Sequence, residues 1–299
     1  MTSAELLNEV ATAIRQPVDG IYDYLPEHLT EIKRIETQTY SHRAGHFAEE
    51  RIMLGGFSEM SLFEPIYKRG KDGRKYLEVG GGDGRFALEL MKQGFTVVET
   101  DIAPGSVRRA REFAAKAGVA DSNLFMAVDA ENLPFKDSSF DGLFLVASLH
   151  HLPNPEFALK EFYRVVKPGG CVLVLREPAS WFFYAFWPLI VGLRTIIRKR
   201  NPGEPKSKAD DETMGFSRWR LKQFFTKAGF TKVQIKPVDY TKKFYVNVIV
   251  VLSRVFRRTI NPDPAMLKLL GKLDLVIARV PLLNALAWDW DSSMERPNS

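Results

Sequence analysis

The chain has 299 residues, 45% of them hydrophobic and 26% charged, with a net charge of +6 and a pI of about 9.2. That is room for one large or two ordinary domains with a full core, and the single Cys171 excludes a disulfide framework or a cysteine-cluster metal site. The Met1 end lacks a basic start followed by an apolar core, so no signal peptide is read and a cytoplasmic location is the default expectation. With modest positive charge, no basic run interleaved with aromatics and no zinc or helix-turn-helix pattern, a nucleic-acid partner is not expected.

Residues 1–70 read as an N-terminal helical cap. Ala4 to Ile14 carries Leu6, Leu7, Val10 and Ile14 at helical spacing, and Thr39 to Met53 is mixed. Lys68 to Lys75 is a basic, glycine-punctuated link into Tyr76–Arg85, Y-L-E-V-G-G-G-D-G-R. Behind it Phe86 to Gln93 has helical spacing and stops at Gly94. The pattern is a strand, a tight turn and a helix. Glycine permits positive φ and lets a ligand lie against bare backbone, while the amides at the helix start face that ligand. A dinucleotide fingerprint needs G-x-G-x-x-G. Here Gly80, Gly82 and Gly84 fall as G-x-G-x-G, and the sixth position is Arg85. Glu78, just before the turn, would repel a pyrophosphate but suits a ligand carrying an ammonium or sulfonium.

Phe95 to Thr100 is the second strand and ends at Asp101, 21 residues after Gly80. A carboxylate there can accept two ribose hydroxyls; Glu99 is the rival but lies inside the strand. Pro104 opens a helix to Ala117, stopped by Gly118. Leu124 to Val128 is the third strand, ending in Asp129-Ala130, and Glu131 to Phe140 is a polar loop. Asp129 can take an adenine amine and the Ala130 amide a ring nitrogen, although Asp129 reads equally as a turn aspartate. Phe140 to Ala147 is the fourth strand, with the exit Ser148-Leu149-His150-His151-Leu152. A helix with Ala158, Phe162, Val165 and Val166 on its core side ends at Lys167-Pro168-Gly169-Gly170. Cys171 to Leu175 is the fifth strand. Five apolar strands alternating with four helical patterns argue for right-handed parallel βαβ units, with ligands beyond the carboxyl ends of the strands.

The glycine turn, the D-A-x-x-L-P-F segment at 129–135, the L-H-H-L-P exit and the K-P-G-G turn together resemble the class I S-adenosylmethionine-dependent methyltransferases. The resemblance covers about Tyr76–Glu177 and weakly Ser217–Val238. It implies a doubly wound, mostly parallel seven-stranded α/β sheet with S-adenosylmethionine as cofactor. The cofactor would lie against Glu78, Gly80, Gly81, Gly82, Gly84, Asp101, Ile102, Asp129 and Ala130. It also implies N-terminal helices folded over the cofactor, bringing Tyr40, His42 and His46 near the active site. His150 and His151, beside the methyl group, are the candidates for a general base. A Glu-His pair holds a metal at this exit in some O-methylating relatives; with His-His here no metal is expected.

Pro178 to Leu193 is uncharged and rich in Trp and Phe, and Arg194, Arg198, Lys199 and Arg200 follow. It is too short to span a bilayer and has the composition of an interfacial segment, so a peripheral membrane contact through 178–200 is expected. Asn201 to Gly215 reads as a linker. Ser217 caps a helix, and Val233–Val238 and Phe244–Leu252 read as strands six and seven, the last antiparallel. Pro264 to Trp290 reads as amphipathic helix broken at Pro281, with Asp289 and Asp291 as solvated turn carboxylates rather than metal ligands. The division expected is a cap at 1–70, a catalytic domain at 71–252 with an insertion at 178–215, and a helical extension at 253–299. The function expected is methyl transfer to a lipophilic small-molecule or lipid-linked acceptor. An NAD(P)-dependent oxidoreductase on a similar sheet, or a binding module without catalysis, remains open at this point.

Overall fold

The computed structural model describes residues 1–43, 60–180, 215–256, 260–280 and 283–298, with positions 192, 195, 199 and 258 between them. Eight strands form one sheet: β1 (Tyr22–Asp23), β2 (Lys75–Val79), β3 (Thr96–Asp101), β4 (Leu124–Ala127), β5 (Phe140–Val146), β6 (Val166–Pro178), β7 (Thr231–Val238) and β8 (Asp289–Glu295). Their order is β1-β4-β3-β2-β5-β6-β8-β7. Neighbours from β1 to β6 are parallel, and β8 is antiparallel to both β6 and β7. The eighth strand, beyond the seven expected, is the two-residue β1 at the edge, where Tyr22 pairs with Met126. The chain runs outward from β2 through β3 to β4, then restarts at β5 on the other side of β2. The β2/β5 junction is therefore the switch point where such sheets hold ligands.

Helices cover both faces. Alternation along each strand divides the core in two. Leu77, Val79, Val98, Met126, Leu143 and Val172 pack with α1 (Ser3–Val10), α6 (Pro155–Val165) and α7 (Arg218–Lys227). Tyr76, Val97, Phe125, Phe144 and Leu173 pack with α3 (Glu64–Arg69), α4 (Arg85–Lys92) and α5 (Pro104–Lys116) on the other face. Glu78 and Glu99 fall on this second face by the same alternation and face each other in register across β2 and β3. The helix α2 (Glu31–Arg43) lies over α5.

The C-terminal third differs from the sequence expectation. Phe244 to Leu252 is not a strand. It lies within α8 (Thr241–Phe256), followed by α9 (Pro264–Ile277). A continuous run of β-branched residues does not by itself separate helix from strand. Here Asp274 of α9 decides, because its Oδ1 accepts hydrogen bonds from Thr241 N (2.8 Å) and Thr241 Oγ1 (2.6 Å) and so caps α8. The antiparallel slot beside β6 is filled instead by Asp289–Glu295, so residues 253–299 end in sheet rather than helix. Asp289 and Asp291 are correspondingly buried, not solvated turn residues. Asp289 pairs with Lys243, and Asp291 Oδ1 accepts from Arg176 N at 2.8 Å. Arg296 fastens the end of β8 by donating to the carbonyls of Tyr163, Arg164 and Val166. Most of the insertion read at 178–215, with its aromatic run, lies outside the described residues, as does His46.

Candidate active site

A cavity of about 740 Å3 opens at the carboxyl ends of β2, β3, β4 and β5, a size ordinary for a small-ligand site. Its floor is the glycine turn after β2. Gly80 and Gly82 have φ of 64° and 59°, the left-handed region that glycine enters without penalty. A Cβ on Gly80 would lie 1.9 Å from Ser148 Oγ, and one on Gly81 would lie 2.7 Å from the Glu78 carboxyl carbon and 2.9 Å from Glu99 Oε1. The turn is thus seated directly on the two buried glutamates. A Cβ on Gly82 would meet nothing within 4 Å, so bare backbone faces the cavity there. Gly84 turns the other way: its Cβ would strike Ala110 of α5 at 2.7 Å, and it does not line the cavity.

Glu78 lines the cavity but is almost wholly buried. Its Oε2 accepts from Ala87 N of α4 at 3.2 Å. Burial pushes its carboxyl from the usual 4.5 up to about 8, against the opposing pull of the Ala87 amide and Arg85. The charge expected from the sequence is therefore suppressed at neutral pH until a cation arrives to stabilise it. Glu99 is deeper still. Neither oxygen has a hydrogen-bond partner among the described residues, and burial followed by the neighbouring Glu78 and Asp101 pushes it well above the carboxylate range.

Asp101 closes the end of β3. Its Oδ2 accepts from Gly82 N at 2.9 Å and its Oδ1 from Ala103 N at 2.8 Å, which locks the carboxylate to the glycine turn. Ile102, Asp129 and Ala130 also line the cavity. Asp129 arrives already engaged: Oδ2 pairs with Lys33 Nζ at 2.7 Å and Oδ1 accepts from Glu131 N at 3.0 Å. Lys33 also pairs with Glu131 at 2.8 Å. Burial pulls Lys33 down, but the two carboxylates outweigh it and hold it above the usual lysine range.

The two histidines part company. His151 lines the cavity; His150 does not. The His151 Nε2 lies 3.2 Å from Tyr40 Oη, and its Nδ1 lies 3.8 Å from Glu36 Oε2. Tyr40 and Glu36 both come from α2 and line the same cavity. His42 of the same helix is exposed. His150 Nδ1 is instead bonded to Glu177 at the end of β6, 2.9 Å away. Glu177 is fully buried and accepts three backbone amides besides, from Ser148 (2.9 Å), Leu149 (2.8 Å) and His150 (3.1 Å). Burial raises its pKa, yet the His150 imidazole and the amides outweigh that and leave it below the usual range. One carboxylate thus fixes the whole β5 exit. Ala147, at φ 50°, makes the sharp turn into it, a conformation uncommon for a residue with a Cβ.

Lys33, Glu36 and Glu177 were not singled out from the sequence. Lys33 and Asp129 are 96 positions apart, so no local pattern joins them. Glu177 carried one legible signal, a lone carboxylate at the end of an apolar strand.

The segment that carries the cavity is similar to known proteins. A family model described as a methyltransferase domain matches residues 77–174. The chain is 30% identical over 226 residues to a ubiquinone/menaquinone biosynthesis C-methyltransferase (UbiE) of Azotobacter vinelandii, covering 71% of this chain and 87% of that protein. It is 35% identical over 98 residues to a sterol 4-C-methyltransferase of Caenorhabditis elegans, spanning 33% of this chain but only 29% of that protein's length. Phosphoethanolamine N-methyltransferase 2 of Haemonchus contortus, solved with S-adenosyl-L-methionine, superposes with a TM-score of 0.58 at 16% identity, covering 91% of this chain and 61% of that one; that likeness is one of fold. The chain belongs to the class I S-adenosylmethionine-dependent methyltransferases, and its cofactor is S-adenosylmethionine.

The residues present fit that cofactor. Gly82 leaves a bare cradle, Asp101 and Asp129 are held as acceptors, and Glu78 is a buried carboxyl at the turn. Among the described residues no helix is long and apolar enough to cross a membrane.

Proposed function

We propose that this chain methylates a lipophilic small-molecule or lipid-linked acceptor, with carbon as the accepting atom. The observation that carries the reading is the convergence of Glu78, Asp101 and Asp129 with bare glycine backbone on one cavity at the sheet's switch point. The choice of acceptor is supported by the relatives, whose names are those of a quinone-biosynthesis and a sterol C-methyltransferase.

Asp101 would accept the ribose hydroxyls, Ile102 would cover the adenine, and Asp129 with the Ala130 amide would hold its polar edge. The Gly80–Gly82 backbone and Glu78 would hold the amino-acid part. Bound S-adenosylmethionine supplies an activated methyl group whose leaving group is a neutral thioether. The protein's task is then to align the acceptor and exclude water, and alignment alone supplies on the order of 7–11 kcal/mol. His151 takes the acceptor's proton, oriented by Tyr40 and Glu36; a phenol or carbon acid needs such a base. His150 positions the β5 exit through Glu177 rather than touching the acceptor. The uncharged run at 178–193 and the basic residues after it supply a peripheral membrane contact, which vesicle sedimentation of a chain with Trp181–Trp187 replaced by polar residues tests.

Calorimetry with S-adenosylhomocysteine and NAD side by side tests the reading. The wild type should bind the first and not the second. Asp101→Ala should weaken binding at least about tenfold, since charge-assisted hydrogen bonds contribute about 1.5–3 kcal/mol. His151→Ala should leave binding within about twofold and lower turnover about a hundredfold, the usual contribution of a general base. An unchanged dissociation constant for Asp101→Ala would refute the cofactor assignment.

A further inference from the structure

The surface of the α8–α9 pair is not accounted for by the cavity. The two helices pack on each other and turn apolar stripes to solvent. On α8 these are Phe244, Val248, Leu252 and Phe256, spaced every four residues, with Phe256 67% exposed. On α9 they are Met266, Leu269, Leu273 and Val276, alternating three and four, with Leu269 61% exposed. Such spacing places each set on one side of its helix. Exposed apolar stripes of this kind mark an interaction site.

The charge of the same segment identifies what it meets. Residues 241–280 contain eight Lys or Arg and two Asp. Both aspartates are spent on helix caps, Asp263 accepting from Met266 N at 2.9 Å and Asp274 from Thr241 N at 2.8 Å. Lys268 and Lys272 are exposed and flank the α9 stripe. We propose that the α8–α9 hairpin docks on an anionic phospholipid bilayer, its apolar stripes entering the interface and Lys268 and Lys272 meeting the headgroups. Helices of 16 and 14 residues lie on such a surface rather than cross it. A second copy of the chain is the poorer occupant, because a twofold contact would set this basic face against itself.

The hairpin also stands at the working end of the molecule. β7 ends at Val238, paired with Asp289, and Asp289 pairs with Pro178 at the carboxyl end of β6. α8 therefore leaves the sheet from the edge at which the cavity opens. A bilayer beneath the hairpin brings dissolved lipophilic molecules to that edge. The docking itself rests on surface chemistry and not on the methyl-transfer reading.

The test is sedimentation of the full chain with phosphatidylcholine vesicles, with and without phosphatidylglycerol, at low and high salt. The wild type should pellet with the anionic vesicles at low salt and lose most of that binding at high salt, as surface electrostatics require. In the full chain whose Trp181–Trp187 run carries polar residues, which removes the contact proposed for 178–200, Leu269→Glu/Leu273→Glu and Lys268→Glu/Lys272→Glu should each reduce the remaining pelleting at least about tenfold. Both should bind S-adenosylhomocysteine as the wild type does, which shows that they are folded. Failure of the wild type to pellet at low salt, or variants that pellet equally well, would overturn the proposal. So would a wild-type dimer that the leucine variant dissociates while vesicle binding stays the same. Pelleting without S-adenosylhomocysteine binding would uphold the docking surface and sink the cofactor reading instead.

Discussion

Glu99 is the residue whose environment departs furthest from its chemistry. It lies beneath the glycine turn, faces Glu78 in register, and has no hydrogen-bond partner for either oxygen among the described residues. Two carboxylates this close and this dry cannot both ionise cheaply, so the folded state keeps them protonated. In the unfolded chain both ionise near 4.5. The stability they leave intact below that pH is lost as pH climbs toward the folded-state value, about 8 for Glu78. Glu99→Gln removes one of these protons and relieves the other carboxyl. Denaturation midpoints measured at pH 5 and pH 8 should therefore fall less for the variant than for the wild type; parallel losses would mean that Glu99 does not hold a proton. In sequence, Glu99 is legible only as a rival to Asp101, set aside for lying inside its strand. That position is what buries it, and nothing in the local pattern says that Glu78 sits opposite.

Among elements, α8 shows how far a local pattern carries. F-Y-V-N-V-I-V-V-L has the composition of a strand, yet it forms a helix because the Thr241 amide at the head of α8 finds the Asp274 carboxylate 33 positions downstream. Helix nucleation is costly, and a cap that satisfies the orphan donors shifts the balance. Asp274→Ala should cost about 1 kcal/mol, the usual worth of such a cap. Hydrogen exchange at Thr241–Lys243 should accelerate while the amides held by Glu177 stay protected. Equal protection in the variant would show that packing alone sustains α8. The glycine turn is the opposite case: its strand, turn and helix were all readable, because every cause lies within ten consecutive residues.

For the whole molecule, the last strand is the closure. β8 supplies antiparallel partners to both β6 and β7, and Arg296 with the Arg69–Glu295 pair of 2.9 Å tie it to the parallel half. A chain ended after Trp288 should leave two unpaired strand edges, which invite aggregation. It is expected to appear in the insoluble fraction, or to melt well below the full chain; a soluble chain of unchanged Tm would show β8 to be dispensable. The sequence by itself determined the parallel half, the switch point and the acidic strand tips, because hydrophobic period and glycine chemistry are local properties. Only the tertiary structure decided which segment fills the slot beside β6, that His151 rather than His150 faces the cavity, that Lys33 lines it, and that Glu177 fixes the β5 exit. Each of those depends on a contact between residues far apart in the chain, or on which way a side chain turns once its neighbours are in place.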